Sequence, residues 1–145
     1  MRALPTGTFH AGTLVAPVFP GLAEWPSRDG VLRVRGHGDP GHPAALVPRD
    51  ETGVFVSRRD ASGRRVVNED DVLEALEDLG IRPVVLSGRT YREQRELLGR
   101  SRYVIGPHGA GLTNIVFAAP RATLVELAGA RYTSCFHILA SHVGA

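Results

Sequence analysis

Tyr103-Val104-Ile105-Gly106-Pro107-His108-Gly109-Ala110-Gly111-Leu112-Thr113-Asn114 is the stretch on which the fold is decided. Its first three residues are apolar, and two of the first four are β-branched, so they read as a short buried strand. Gly106, Gly109 and Gly111 then break the run. A short helix through Asn114 to Phe117 follows. A strand that passes through glycines straight into a helix is an α/β arrangement, and the flanking sequence repeats it.

Upstream, Thr90 and Glu93 form a capping-box pattern for a helix that runs to about Leu98. Before it, Pro83-Val84-Val85-Leu86 reads as a strand. Asn68 reads as the N-cap of an earlier helix, with Glu69, Asp70 and Asp71 in a first turn where the helix dipole favours negative charge. Val72, Leu73, Leu76 and Leu79 share one face of it, and Gly80 supplies the stop. Val54-Phe55-Val56 begins the series as another buried strand. Downstream, Thr123-Leu124-Val125-Glu126-Leu127 is the fourth strand. Residues 134–143 form a last helix with Phe136, Leu139, Ala140 and Val143 on one face. Strands alternating with helices predict an α/β fold, a Rossmann-like parallel sheet with helices on both faces. Ligands of such sheets bind beyond the carboxyl ends of the strands.

Residues 1–52 have a different texture. Seven of the ten prolines lie among the first 50 residues, together with seven glycines. The reading is a loop-rich leader, the remnant of a linker or larger domain, with β-like patches at residues 13–18 and 31–34. The compact domain is expected over residues 53–145.

Composition narrows the function classes. Hydrophobic residues are 43% and charged residues 22%, as in an ordinary globular protein. No apolar run is long enough to span a membrane. The one cysteine, Cys135, cannot form an internal disulfide and suits a cytoplasmic setting. All 17 basic residues are arginine, whose planar fork matches phosphate. The net charge of +2, with acidic residues interleaved, gives no basic face for nucleic acid. The six histidines show no metal-ligand spacing, so no metal and no cofactor are expected.

Three strand ends carry candidate ligand groups. Ser57, Arg58, Arg59, Arg64 and Arg65 follow the first strand, and arginine forks pair with diphosphate oxygens. After the third strand, Gly109 and Gly111 permit positive φ and close backbone approach. The helix they open presents unpartnered amides suited to an anion, with His108 beside them as a hydrogen-bond donor. At the fourth strand end, Glu126 could accept both hydroxyls of a ribose or pair with an arginine such as Arg131. Gln94 lies on a helix, where a solvated role is the default. Each feature also has a plain structural reading: a tight turn, a solvated basic loop, an ion pair.

Taken together, Val54-Phe55-Val56-Ser57-Arg58-Arg59, Arg64-Arg65-Val66-Val67-Asn68-Glu69, Glu93-Gln94, His108-Gly109-Ala110-Gly111-Leu112-Thr113-Asn114 and Leu124-Val125-Glu126-Leu127 resemble the signature of family 61 glycosyltransferases. Order and spacing agree across roughly residues 53–144. The resemblance implies the C-terminal, donor-binding part of a GT-B type enzyme that uses a nucleotide-sugar, usually a UDP-sugar, without an essential metal. It implies that Arg58 and Arg64 meet the donor diphosphate. His108, Gly109, Ala110, Gly111, Leu112 and Thr113 would close on the same phosphates, and Glu126 would hold the ribose. Ser57, Asn68 and Asn114 would support them. The acceptor is an unspecified glycan or other hydroxyl compound. The family's catalytic base is expected in an acceptor domain that residues 1–52 cannot build, so the chain reads as a partial enzyme that a complementing chain or self-association would complete. The alternative is a non-catalytic nucleotide-binding or protein-interaction module derived from such an enzyme.

Overall fold

The structure, a computed structural model, describes residues 26–36, 50–129 and 133–145. Four strands form one parallel sheet: β1 (Asp50–Ser57), β2 (Ile81–Val85), β3 (Ser101–Pro107) and β4 (Thr123–Leu127), in the order β2-β1-β3-β4. β1 and β3 are the inner pair, and the chain winds outward from each in opposite directions. Each expected strand is present. β1 and β3 extend beyond their apolar centres, β2 is shifted two residues toward its N-terminal side and ends at Val85, and β4 has the expected span. Pro83 sits on β2, the outermost strand on that side of the described sheet, where sheet prolines are tolerated.

Residues alternate between the faces of a strand, so β1 feeds two cores. Val54 and Val56 join Val84, Val104, Leu98, Leu112 and Phe117 on one side. Phe55 joins Ile81 and Ile105 on the other, against Val72, Leu73 and Leu76. Covering both faces is why these strands read as unbroken apolar runs.

Four α-helices and a 3-10 helix supply the covers among the described residues: α1 (Arg28–Gly36), α2 (Glu69–Glu77), α3 (Tyr91–Arg100), the 3-10 helix Ala110–Phe117, and α4 (Cys135–Val143). Three expectations need correction. Residues 31–34 are helical, not β-like. Ser27 Oγ accepts the Gly30 amide at 3.2 Å, Asp29 stands in the first turn, and Arg33 and Arg35 stand in the last. Val31 is then buried against the α4 core, a tertiary contact that outweighs local β preference. Second, Leu79 is 61% exposed, because α2 ends at Glu77 and the chain leaves the helical path before Leu79 can reach the apolar face. Gly80 does take the left-handed conformation expected of a stop, with φ 67°. Third, Asn68 holds the N-cap position of α2, but its side chain makes no capping hydrogen bond. The patch at residues 13–18 lies outside the described residues.

α3 is capped as its sequence predicts. Thr90 Oγ1 accepts the Glu93 amide at 3.3 Å, and Glu93 Oε2 accepts the Thr90 amide at 2.7 Å. Hydrogen bonds from the Thr90 hydroxyl, then from its backbone, hold the Glu93 carboxyl below its ordinary range. Glu93 therefore supports α3 above the ordinary glutamate range, and that support is lost as pH falls through the lower folded value. In Thr90→Ala, the Glu93 midpoint followed by NMR should rise toward the ordinary value. In the core, Phe55→Ala should cost about 3–5 kcal/mol in denaturant unfolding, while exposed Val67→Ala should stay within about 0.5 kcal/mol.

Candidate functional site

Where strand winding reverses between β1 and β3, the loops leaving their carboxyl ends part and leave a crevice. β1 ends at Ser57, and the loop after it carries Arg58. The turn after β3 carries His108, Gly109, Ala110 and Gly111. A cavity of about 450 Å3 lies between them, lined by Arg58, Asp60, Ser87, Gln94, Gly111 and Asn114 among others.

Arg58 crosses to the glycine turn. A Cβ on Gly109 would overlap its Nη1 and stand 3.1 Å from its Cζ. Glycine at 109 leaves the room that the guanidinium occupies, and a larger residue would displace it. Its φ of 167° is extended, and neither Gly109 nor Gly111 has the positive φ that the sequence suggested. Gly106 is also a close-approach position, since a Cβ there would stand 3.0 Å from the Val56 carbonyl oxygen. Arg58 Nε and Nη2 each reach the Gly63 carbonyl at a long 3.4 Å. The fork is held in place but weakly engaged.

The turn opens a 3-10 helix. Its tighter winding closes on the Leu112 amide, which donates to Gly109 O at 2.9 Å. Ala110 and Gly111 precede that bond and line the cavity. Leu112 itself is a core residue, 1% exposed, and Thr113 stands exposed on the helix. Within this stretch Ala110, Gly111 and Asn114 line the cavity, while Leu112 packs into the core.

His108 is fixed on two sides. Its amide donates to Leu127 O at 3.0 Å, and its Nδ1 meets Glu126 Oε1. Its ring packs on Phe136 of α4, with centroids 5.0 Å apart. Glu126 lies beside Gly106 in the β3–β4 register and lines a separate recess of about 380 Å3 against α4. Its partner is His108. Arg131, the other partner considered, lies outside the described residues.

Arg64 is not drawn to the glycine turn. It occupies the neighbouring recess of about 570 Å3, beyond Gly63, with Arg59, Arg65 and Glu69. Its backbone is left-handed, at φ 55°, an uncommon state for a side chain of this size. Asn68 is exposed. Ser57 is buried and donates to Glu69 Oε1 at 2.6 Å.

Two residues were underread. Gln94 is half-buried, not solvated. It donates to Leu86 O at 3.3 Å and Arg89 O at 3.1 Å, and it accepts from Asn114 Nδ2 at 3.0 Å. Asn114 donates also to Gly111 O at 3.2 Å, so the pair ties the glycine turn to the loop after β2. The second is Glu69, given no site role from sequence beyond its place in the family signature and the helix dipole, but 5% exposed and lining the neighbouring recess. Both were detectable: Gln94, Leu97 and Leu98, like Glu69, Val72, Leu73 and Leu76, follow the spacing of an inward helix face.

Fold and edge together define a Rossmann-like α/β domain with a polar crevice at its switch point. The sequence pattern of the family Glycosyltransferase 61 matches residues 6–125, most of the chain, and the chain belongs to that family of transferases. It is 31% identical over 104 residues to the EGF domain-specific O-linked N-acetylglucosamine transferase of Xenopus laevis, covering 68% of this chain and 19% of that protein. To the protein of the same name from Mus musculus it is 29% identical over 99 residues, covering 64% and 19%. The chain thus spans about a fifth of the length of these curated relatives. No helix among the described residues is long and apolar enough to cross a membrane.

An ionised carboxylate can only accept, so contact with Glu126 assigns the proton of a neutral His108 ring to Nδ1. Ring-nitrogen NMR at neutral pH should show that tautomer, and Glu126→Ala should shift the population toward the Nε2–H form.

Proposed function

We propose that this domain binds the diphosphate of a nucleotide-sugar, specifically a UDP-sugar, as the donor-binding half of a glycosyl transfer to an acceptor hydroxyl. The observation that carries the reading is Arg58, weakly engaged and laid across Gly109 in the switch-point crevice. A guanidinium fork beside free backbone amides is suited to two phosphate groups.

Attack at the anomeric carbon releases a nucleoside diphosphate, and the developing negative charge falls on its terminal oxygens. Arg58 and the amides of Ala110 and Gly111 are placed to receive it without reorganising. The charge is assigned to arginine and backbone rather than to a metal. His108, with Nδ1 committed to Glu126, offers Nε2 to the same oxygens when protonated. Glu126 acts first through that ring, and its other oxygen is the one left for a ribose hydroxyl. Arg64 adds positive charge across the turn at Gly63. Gln94 and Asn114 hold the turn in place.

The names of the relatives make N-acetylglucosamine the first sugar to test. Acceptor binding and the base that takes the acceptor proton are assigned elsewhere, to a second GT-B domain, a complementing chain or another copy. The lone cysteine suits a cytoplasmic protein.

Calorimetric titration with UDP tests the reading. The wild type should bind, and Arg58→Ala should weaken binding about 10-fold or more, the loss expected for a charged hydrogen-bonding group. Absence of binding to UDP and other nucleoside diphosphates would favour the interaction-module alternative.

A further inference from the structure

Among the described residues, Glu69 is the one buried ionisable group at this edge that the proposed chemistry leaves unused. It opens α2, is 5% exposed, and concentrates its contacts on one oxygen. Oε1 accepts from Ser57 Oγ at 2.6 Å and from Arg59 Nε at 2.7 Å. Arg59 Nη2 is shared with Asp70 next along the helix. Ser57 Oγ in turn accepts the Arg59 amide at 3.2 Å. The residues on both sides of Arg58 are thereby fastened to the first turn of α2.

Arg58 itself takes no part in that fastening. With its neighbours pinned toward α2, its side chain runs the other way, onto Gly109. The second carboxylate oxygen, Oε2, is buried and has no hydrogen-bond partner among the described residues. Burying a carboxylate costs stability relative to an apolar side chain. An apolar residue would continue the stripe of Val72, Leu73 and Leu76 without that cost. Only an acceptor at this position can hold Ser57 and Arg59 at once.

We propose that Glu69 is a positioning residue of the donor site: through Ser57 and Arg59 it fixes the backbone around Arg58 and aims its guanidinium at the diphosphate. This rests on the donor-site reading above. Glu69 touches no ligand in it, and its effect is confined to the phosphate that Arg58 meets.

The test compares UDP with UMP by calorimetry on the whole chain, because the ratio of the two dissociation constants isolates the second phosphate. The wild type should prefer UDP. Glu69→Gln keeps the shape but weakens the pull on Arg59, and Ser57→Ala removes the bridging hydroxyl alone. Each should lower the UDP-to-UMP preference at least about 5-fold while leaving UMP affinity within about 2-fold. Circular dichroism and thermal melting confirm folding of each variant, and Ser57→Ala supplies the answer if Glu69→Gln does not fold. Folded variants that keep the full preference, or that lose UDP and UMP equally, overturn the inference while the donor site stands. A wild type that binds UDP no better than UMP removes the diphosphate site, and the inference with it.

Discussion

β1 and β3 lie side by side at the centre of the sheet, and the chain turns away from their shared edge in opposite directions as it leaves them. That pairing creates the crevice. Loops that wound the same way would overlap and close it. Because they diverge, β1 and β3 end at one level, at Ser57 and Pro107, with open space between the loops that leave them. Gly53 and Gly106 allow the strands to approach closely, since a Cβ at Gly53 would stand 2.7 Å from Tyr103 Cβ. The cores on both sheet faces depend on the same register, because Val54 and Val104 serve one and Phe55 and Ile105 the other. Fold and site thus share one constraint.

The polar edge is built as two halves, each fastened by its own hydrogen bonds. The β3 half is locked: His108 is tied to Leu127 and Glu126, and the turn is anchored through Asn114 and Gln94 to the loop after β2. On the β1 half, the carboxylate of Glu69 does the equivalent work. The two halves meet where Arg58 lies on Gly109. Preorganisation of this kind keeps charged groups aimed before a ligand arrives, so ordering them adds little to the cost of binding.

Much of this was legible in the sequence, for a physical reason. Buried parallel strands must be apolar throughout, and helix caps need particular side chains, so Val54-Phe55-Val56, Thr90 with Glu93, and Phe136 with Leu139 identify their elements. What failed had nonlocal causes. Residues 31–34 look β-like by composition, and only docking against α4 makes them helical. Glycines advertise positive φ, yet Gly109 is extended and lies under a side chain from 51 positions earlier in the chain, a contact that no local pattern displays. The fourth-strand carboxylate was correctly placed on an edge, but its partner is a histidine from the neighbouring strand end. Arg58 and Arg64 look equivalent in sequence, and the turn at Gly63 separates them into adjoining recesses.

Helix polarity explains where the buried polar residues sit. Gln94 and Glu69 both lie in the first turn of a helix and on its inward face, the one place where an α/β cover helix comes close to a strand's carboxyl end. An apolar residue there would seal the helix to the sheet and leave the loop free. A polar residue there gives up some apolar burial, and in exchange the loop backbone gains a fixed partner. Gln94 is neutral and fully engaged, so its cost is small. Glu69 is a buried carboxylate, which costs more to bury than an amide. The costlier group stands on the side of the crevice that carries the arginines, where a carboxylate accepts from a guanidinium more strongly than an amide oxygen does. Its placement follows the charge of the loop it holds.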